Sequence, residues 1–154
     1  MRLVREDHVV IRCHGSMWHM VTITALVWLL RKAGWEVVPT PTAKKDYRGP
    51  ELDILAFKND TRTDARGRKT QVPRIVGIEV EEHPKAATLS KKFDQYKAVF
   101  KIQTMFVVSP YGTRKNLDCG KGPDGIERDV RLCGPTPSLE TVQLHMINIV
   151  DCII

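Results

Sequence analysis

IVGIEVEE, residues 75–82, and GPELDILAF, residues 49–57, are two short apolar runs that carry acids in their interiors. The apolar residues are typical of buried strands, but a strand interior disfavours Asp. Asp53 lies in one run, and Glu79 and Glu81 lie in the other. An ionised carboxylate out of water is costly unless a cation or hydrogen bonds compensate it. The two runs therefore predict neighbouring strands whose acids share a cation, with a metal ion as the leading interpretation.

Alternation along residues 75–81 sorts the side chains of this strand by face. Successive side chains of a strand point to opposite faces of a sheet. Val76, Ile78 and Val80 are thus expected on one face, and Glu79 and Glu81 together on the other.

The rest of the chain predicts helices and strands around these two runs. Spacing and punctuation predict the following order: a helix over 17–33 capped by Ser16 and Gly34, strands over 35–38, 52–57 and 75–81, an amphipathic helix over 86–101, and strands over 105–108 and 130–133. Residues 58–74 hold six cations against two acids and predict an exposed basic hairpin or loop. Residues 111–137 are rich in turn residues, and residues 142–154 fit either a strand or a helix.

Length and charge favour one domain with an anionic partner. A chain of 154 residues is most naturally a single domain, here with a core over about 16–109 and a turn-rich extension over 110–154. The net charge of +6 and the pI near 9.3 favour nucleic acid as the partner, although many basic proteins bind none.

Two further features bear on location. The longest apolar segment, residues 17–30, is too short for a membrane span, which needs roughly 20 residues. The first 16 residues lack the pattern of a secretory signal. The expectation is a cytoplasmic protein with free thiols, with a bridge between Cys119 and Cys133 as the alternative.

The order of these elements resembles the core of the PD-(D/E)XK nuclease superfamily. The resemblance covers about residues 16–109 and rests on Pro50-Glu51-Leu52-Asp53 followed by Glu79-Val80-Glu81. It implies an α/β fold with a restriction-endonuclease-like mixed central sheet flanked by helices. It also implies a divalent-metal-dependent DNA endonuclease, possibly structure-selective, which uses Mg²⁺ or Mn²⁺ and acts as a homodimer.

The resemblance assigns roles to individual residues. Asp53 and Glu79 are the expected metal ligands, with the backbone carbonyl of Val80 as a third. Mg²⁺ prefers such hard oxygen ligands and retains several waters, which suits a site that also takes a phosphate oxygen. A metal-bound water is the expected nucleophile.

The sequence departs from the family where a lysine is expected two residues after Glu79, because Glu81 stands there. Glu81 is expected to assist the metal or the water. The lysine role is expected to have moved to the following helix, where Lys92 and Lys91 are candidates, with Gln95 as an auxiliary polar residue within one turn.

Other positions are less directly implied. Many family members carry a Glu on the first helix, and residues 17–33 contain none, so His14, His19 or Glu6 are alternative contributors. Tyr96 is predicted to belong to the core.

Cations on both sides of the first acidic strand predict a nucleic-acid-binding surface. Lys and Arg neutralise backbone phosphates with little sequence preference. The candidates are Lys44, Lys45, Arg48, Arg62, Arg66, Arg68, Lys69 and Arg74.

Two other functions remain open from the sequence. One is a noncatalytic nucleic-acid-binding descendant of the nuclease fold. The other is an interaction protein of a virus or mobile element, in which the acids pair with Lys45, Arg48 or Arg74.

Overall fold

A computed structural model describes residues 17–41, 49, 51–109, 115–133 and 153. Within them the chain is an α/β protein with two helices and a mixed six-stranded sheet. The elements are α1 (Met17–Lys32), β1 (Glu36–Pro39), β2 (Ile54–Thr63), β3 (Lys69–Val80), α2 (Ala86–Phe100), β4 (Thr104–Val108), β5 (Lys115–Leu117) and β6 (Val130–Cys133). Ser16 and residues 142–152, for which a cap and a final element were predicted, lie outside the described residues.

The sheet has the strand order β1-β2-β3-β4-β6-β5. β1, β2 and β3 form an antiparallel meander, whereas β4 is parallel to β3 and β6 is parallel to β4. β5 closes the far edge antiparallel to β6. The parallel pair β3 and β4 needs a crossover connection, and α2 supplies it.

The two helices cover opposite faces of the sheet. On one face, Leu26 and Leu30 of α1 pack in a cluster that includes Ile78 and Phe106. On the other face, Leu89, Phe93 and Tyr96 of α2 pack in a second cluster with Met105 and Val107. This arrangement confirms the predicted alternation in β3, since Val76, Ile78 and Val80 all belong to the α1 cluster.

The first helix ends as its sequence predicts. Gly34 has a φ of +86°, its N–H donates to the carbonyl of Arg31, and the Trp35 N–H donates to the carbonyl of Leu30. These two bonds form the motif in which a left-handed residue satisfies the last carbonyls of a helix. The turn then directs the chain into β1, where Val37 enters the α1 cluster.

The strands differ from the predicted ones mainly in length. β2 and β3 run on through most of residues 58–74, so the predicted basic hairpin or loop is a hairpin with a turn at 64–68. Cross-strand pairing extends the strands although the sequence there is polar. β5 was not predicted, because three residues leave no recognisable periodicity.

Cys119 and Cys133 do not form the bridge that was considered. Both are buried free thiols, and they belong to clusters on opposite faces of the sheet. Among the described residues, no helix has the length and apolar character required to cross a membrane.

Gly77 allows the side chains of Leu52 and Ile102 to approach the backbone of β3 closely. A Cβ at this position would lie 3.2 Å from Leu52 Cδ1 and 3.3 Å from Ile102 Cδ1. The lack of a side chain at Gly77 therefore lets Leu52, the neighbour of Asp53, pack directly on β3.

Replacement of Gly34 tests the end of α1. Gly34→Ala should lower the free energy of unfolding by about 1 kcal/mol, because a Cβ is unfavourable at positive φ. No atom lies within 4 Å of that Cβ, so the loss reports backbone strain alone. Denaturant titration measures it. Gly34→Asn is the matched control and should lose less, because Asn tolerates the left-handed conformation.

Candidate functional site

Three carboxylates meet at one end of the sheet. β2 and β3 are antiparallel with Ile54 opposite Ile78, so the residue before β2 lies beside the residue that follows Ile78. Asp53 and Glu79 are those two residues, and Glu81 follows directly after the end of β3. The strand register therefore brings together the acids that lie far apart in sequence.

Asp53 is held by the backbone of β3 and by α1. The Val80 N–H donates to Asp53 Oδ2 with an N···O distance of 2.8 Å. His19 Nε2 lies 3.3 Å from the same oxygen. Of the three alternative contributors, the structure brings His19 beside Asp53, whereas His14 and Glu6 lie outside the described residues.

Glu79 is almost completely buried and has a partner on each oxygen. Its side chain faces α2, where Lys92 Nζ donates to Oε2 at 2.8 Å and the Tyr96 hydroxyl lies 2.7 Å from Oε1. The Lys92 ammonium also forms an ion pair with Glu81. Lys92 therefore bridges the two acids of the Glu-x-Glu segment, and only 2% of Glu79 is exposed.

Tyr96 contacts two acceptors with a single proton. Its hydroxyl lies 2.8 Å from the backbone carbonyl of Glu51 as well as 2.7 Å from Glu79 Oε1. A phenol has one O–H to donate, and a peptide carbonyl has none. The single O–H of Tyr96 is therefore shared between the Glu51 carbonyl and Glu79 Oε1, and it links Glu79 to the segment before β2.

Burial and neighbouring charges shift the pKa values of the cluster. Burial, followed by the nearby charge of Asp53, raises the pKa of Glu79 to about 7, against the opposing effects of Lys92 and Tyr96. Burial also raises the pKa of Asp53, despite the Val80 N–H and His19. Burial alone would lower the pKa of Lys92, but Glu79 and Glu81 outweigh it and the pKa is raised. The two buried acids therefore still favour added positive charge.

The cluster has oxygen donors for a cation but no complete protein cage. Among the residues that the structure describes, no three or more His, Cys, Asp or Glu side chains form a group that could hold a metal ion. Mg²⁺ is usually bound by one or two carboxylates together with waters and substrate phosphates. Asp53 and Glu79 fit that smaller set of ligands. The backbone carbonyl of Val80, the residue between Glu79 and Glu81, is the third predicted ligand.

The remaining predicted catalytic residues lie on α2. Lys92 reaches the acids, whereas Lys91 and Gln95 are exposed on the helix. Of the two lysine candidates, the structure brings Lys92 into the cluster. Residues 92 and 96 are one helical turn apart and thus share a face.

Four of the eight predicted nucleic-acid-binding residues lie away from the acids. Arg62, Arg66, Arg68 and Lys69 are exposed around the tip of the β2–β3 hairpin, at the opposite end of β3 from Glu79. Arg74 is half-buried, donates to the Ile153 carbonyl at 3.0 Å and lies over the Trp35 ring. Lys44, Lys45 and Arg48 lie outside the described residues.

Tyr96 is the site residue that sequence reasoning assigned to the core alone. It is fully buried, as predicted, but its hydroxyl joins Glu79 to the segment before β2. The available signal was its spacing of four residues from Lys92, because a lysine and a tyrosine one turn apart both face the strand that carries the acids.

Comparisons with known protein families, curated proteins and solved structures found no match to this chain. The geometry of the acid cluster is thus the basis for its functional interpretation.

The raised pKa of Glu79 predicts a pH dependence of stability. Below about pH 4.5, Glu79 is protonated in both folded and unfolded chains. Between about pH 4.5 and about pH 7, the folded chain keeps a proton that the unfolded chain releases, so the contribution of Glu79 to stability falls as pH rises. Glu79→Gln should flatten this decline in metal-free buffer.

Denaturant titrations at several pH values between 4 and 8 measure the effect. Glu36→Gln is the matched control, since Glu36 is an exposed acid on β1, and it should leave the decline unchanged. A decline of wild-type size in Glu79→Gln would contradict the assignment of the proton to Glu79.

Proposed function

We propose that this protein is a divalent-metal-dependent nuclease that hydrolyses phosphodiester bonds in DNA. The observation that carries the proposal is the convergence of Asp53, Glu79 and Glu81 at one end of the sheet, with a single lysine from α2 between the two glutamates. Glu79 is buried and the other two acids are half-buried, so their mutual proximity is costly in the absence of a further cation.

The proposed ligands are Asp53, Glu79 and the Val80 carbonyl, with Mg²⁺ or Mn²⁺ as the ion. When bound, such an ion activates a water and stabilises charge on the scissile phosphate. The hydrogen bond from the Val80 N–H fixes one oxygen of Asp53 and leaves Oδ1 for other contacts. Tyr96 contacts Oε1 of Glu79 and Lys92 contacts Oε2, and together they fix the orientation of this carboxylate.

Lys92 is the proposed phosphate-binding lysine. Its ammonium lies between Glu79 and Glu81 and remains partly exposed, with 22% of the side chain accessible. The two carboxylates keep it charged, which is the state needed to stabilise a phosphate oxygen. Glu81 thereby has two proposed tasks, which are to position Lys92 and to accept a proton from the attacking water.

The element order also supports the proposal. The resemblance to the PD-(D/E)XK superfamily implies a helix, three strands of which two carry the acids, an amphipathic helix and a further strand, and α1 through β4 follow that order. By the same resemblance we propose a homodimer. An intracellular location is part of the proposal, and the two buried free thiols agree with a reducing compartment.

One observation favours a second candidate, the noncatalytic nucleic-acid-binding protein. Lys92 and Tyr96 together already supply both oxygens of Glu79 with partners. A metal ion that binds Glu79 would have to displace Lys92 or Tyr96 from one of these oxygens. Calorimetric titration with Mg²⁺ or Mn²⁺ separates the candidates, because the noncatalytic protein should show no binding that depends on Asp53.

Cleavage assays test the proposed activity. Plasmid and branched DNA are incubated with the protein in Mg²⁺ or Mn²⁺, and Asp53→Ala and Glu79→Ala should each lower the cleavage rate by at least about 100-fold, since each removes a metal ligand. Glu36→Ala, which removes an exposed acid on β1, is the matched control and should cleave at the wild-type rate.

Two results would contradict the proposal. One is cleavage that both substitutions leave unchanged, which would point to a different active centre or a contaminant. The other is the absence of both cleavage and Asp53-dependent metal binding, which would favour the noncatalytic protein.

A further inference from the structure

The hairpin formed by β2 and β3 extends beyond the body of the sheet as a two-stranded ribbon, residues 60–72. β1 pairs with β2 only over residues 54–57, and β4 pairs with β3 only over residues 76–80. In the described part of the chain, therefore, neither neighbouring strand flanks the ribbon. Residues 61–71 are all exposed. Four cross-strand pairs, from Asp60–Val72 to Thr63–Lys69, hold it together.

The turn at the end of the ribbon is well ordered by its own contacts. Asp64 Oδ1 accepts hydrogen bonds from the N–H groups of Arg66 and Arg68 at 2.8 and 2.9 Å. Arg68 Nε donates to Asp64 Oδ2 at 2.7 Å, and Gly67 supplies the positive φ of 76°. A turn fixed in this way loses little conformational freedom when it binds a partner.

The charge of the ribbon is concentrated around this turn. Asp64 forms an ion pair with Arg68, which leaves Arg62, Arg66 and Lys69 as exposed cations without a carboxylate within ion-pair distance among the described residues. Long exposed cations at the rim of a protruding element are suited to phosphate contacts.

One face of the ribbon carries neutral hydrogen-bonding groups. Strand alternation and register place the neutral residues Thr61, Thr63 and Gln71 on the same face, where Lys69 adds one cation. Gln71 Nε2 donates to Thr61 Oγ1 at 2.9 Å, which holds both side chains on that face. Hydroxyl and amide groups of this kind donate to and accept from the edges of bases.

We propose that the ribbon enters the major groove of duplex DNA, an inference that rests on the proposed nuclease function and names the form of its substrate. The major groove of B-DNA is about 12 Å wide and admits a two-stranded ribbon, whereas the minor groove is about 6 Å wide.

The composition of the ribbon argues against the other nucleic acids. Binding of single strands relies on aromatic side chains on which bases stack, and residues 58–74 contain no aromatic residue. The major groove of duplex RNA is too narrow and deep for side chains to read. Duplex DNA is the nucleic acid whose shape the ribbon fits.

The distance between the ribbon and the acids agrees with a duplex that contacts both. Lys69 and Glu79 are ten residues apart on β3, which is roughly 33 Å in an extended strand. One turn of B-DNA spans about 34 Å. A duplex lying along β3 can offer a groove to the ribbon and a phosphate to the acid cluster one turn away.

Binding measurements in EDTA test the proposal without metal or cleavage. Fluorescence anisotropy compares a labelled DNA duplex of about 24 base pairs, roughly two helical turns, with the single strand and the RNA duplex of the same sequence. The DNA duplex should bind most tightly. The variant Arg62→Gln/Arg66→Gln/Lys69→Gln should bind it at least about tenfold more weakly, with a salt slope smaller by about 2 to 3, because each lost phosphate contact removes about 0.9 from the slope.

The control variant is Lys101→Gln/Lys115→Gln/Lys121→Gln, which removes three exposed cations outside the ribbon. It should bind more tightly than the ribbon variant, and thermal unfolding of both variants verifies that they fold. Equal losses in the two variants, or tighter binding of the single strand or of the RNA duplex, would overturn the proposal.

The outcome is separable from that of the nuclease assay. Binding is measured in EDTA and cleavage in Mg²⁺ or Mn²⁺, so the loss of ribbon-dependent binding and the loss of cleavage are observed in separate assays. Ribbon-dependent binding without any cleavage would support the ribbon and contradict the nuclease. Cleavage that depends on Asp53 but is unchanged in the ribbon variant, together with unchanged binding, would contradict the ribbon alone.

Discussion

The arrangement of this protein depends on the ion pairs of the Lys92 ammonium with Glu79 and Glu81. Glu79 lies inside the fold, where a carboxylate needs partners, and both of its partners come from α2. The helix is therefore attached to β3 by polar contacts as well as by the apolar cluster of Leu89 and Phe93. Polar networks of this kind specify one packing arrangement, because any other leaves a buried charge without a partner.

The chain separates its charges along β3. The acids gather at the carboxyl end of this strand, while the ribbon cations lie at its amino end, although the sequence as a whole carries a net charge of +6. Two contacts hold the acids at the carboxyl end. Tyr96 of α2 contacts Glu79, and His19 of α1 contacts Asp53. The two ends of β3 therefore carry opposite charge, so that a polyanion would be attracted at one end and repelled at the other.

Much of this arrangement could be predicted from local sequence. Buried acids in apolar runs identified Asp53 and Glu79, and period-two alternation placed Glu79 on the face away from Val76 and Ile78. The C-cap at Gly34 followed from its position after the last apolar turn. These features depend on residues close in sequence, for which strand and helix geometry fix the spatial relation.

Other features depend on pairing between distant segments. The lengths of β2 and β3 come from their cross-strand pairing, which a polar sequence such as that of residues 60–72 does not reveal. The choice of Lys92 over Lys91 depends on the rotation of α2 about its axis, which packing sets. The role of Tyr96 requires knowing that Glu51 and Glu79 lie side by side, and its burial alone gave no indication of this.

The missing side chain at Gly77 links the position of the acid pair to the packing of the core. A single added methyl would press on Leu52 and Ile102, and Leu52 is the covalent neighbour of Asp53. An alanine at residue 77 would therefore push Leu52 by a few tenths of an ångström, and the shift would pass along the backbone to the carboxylate of Asp53.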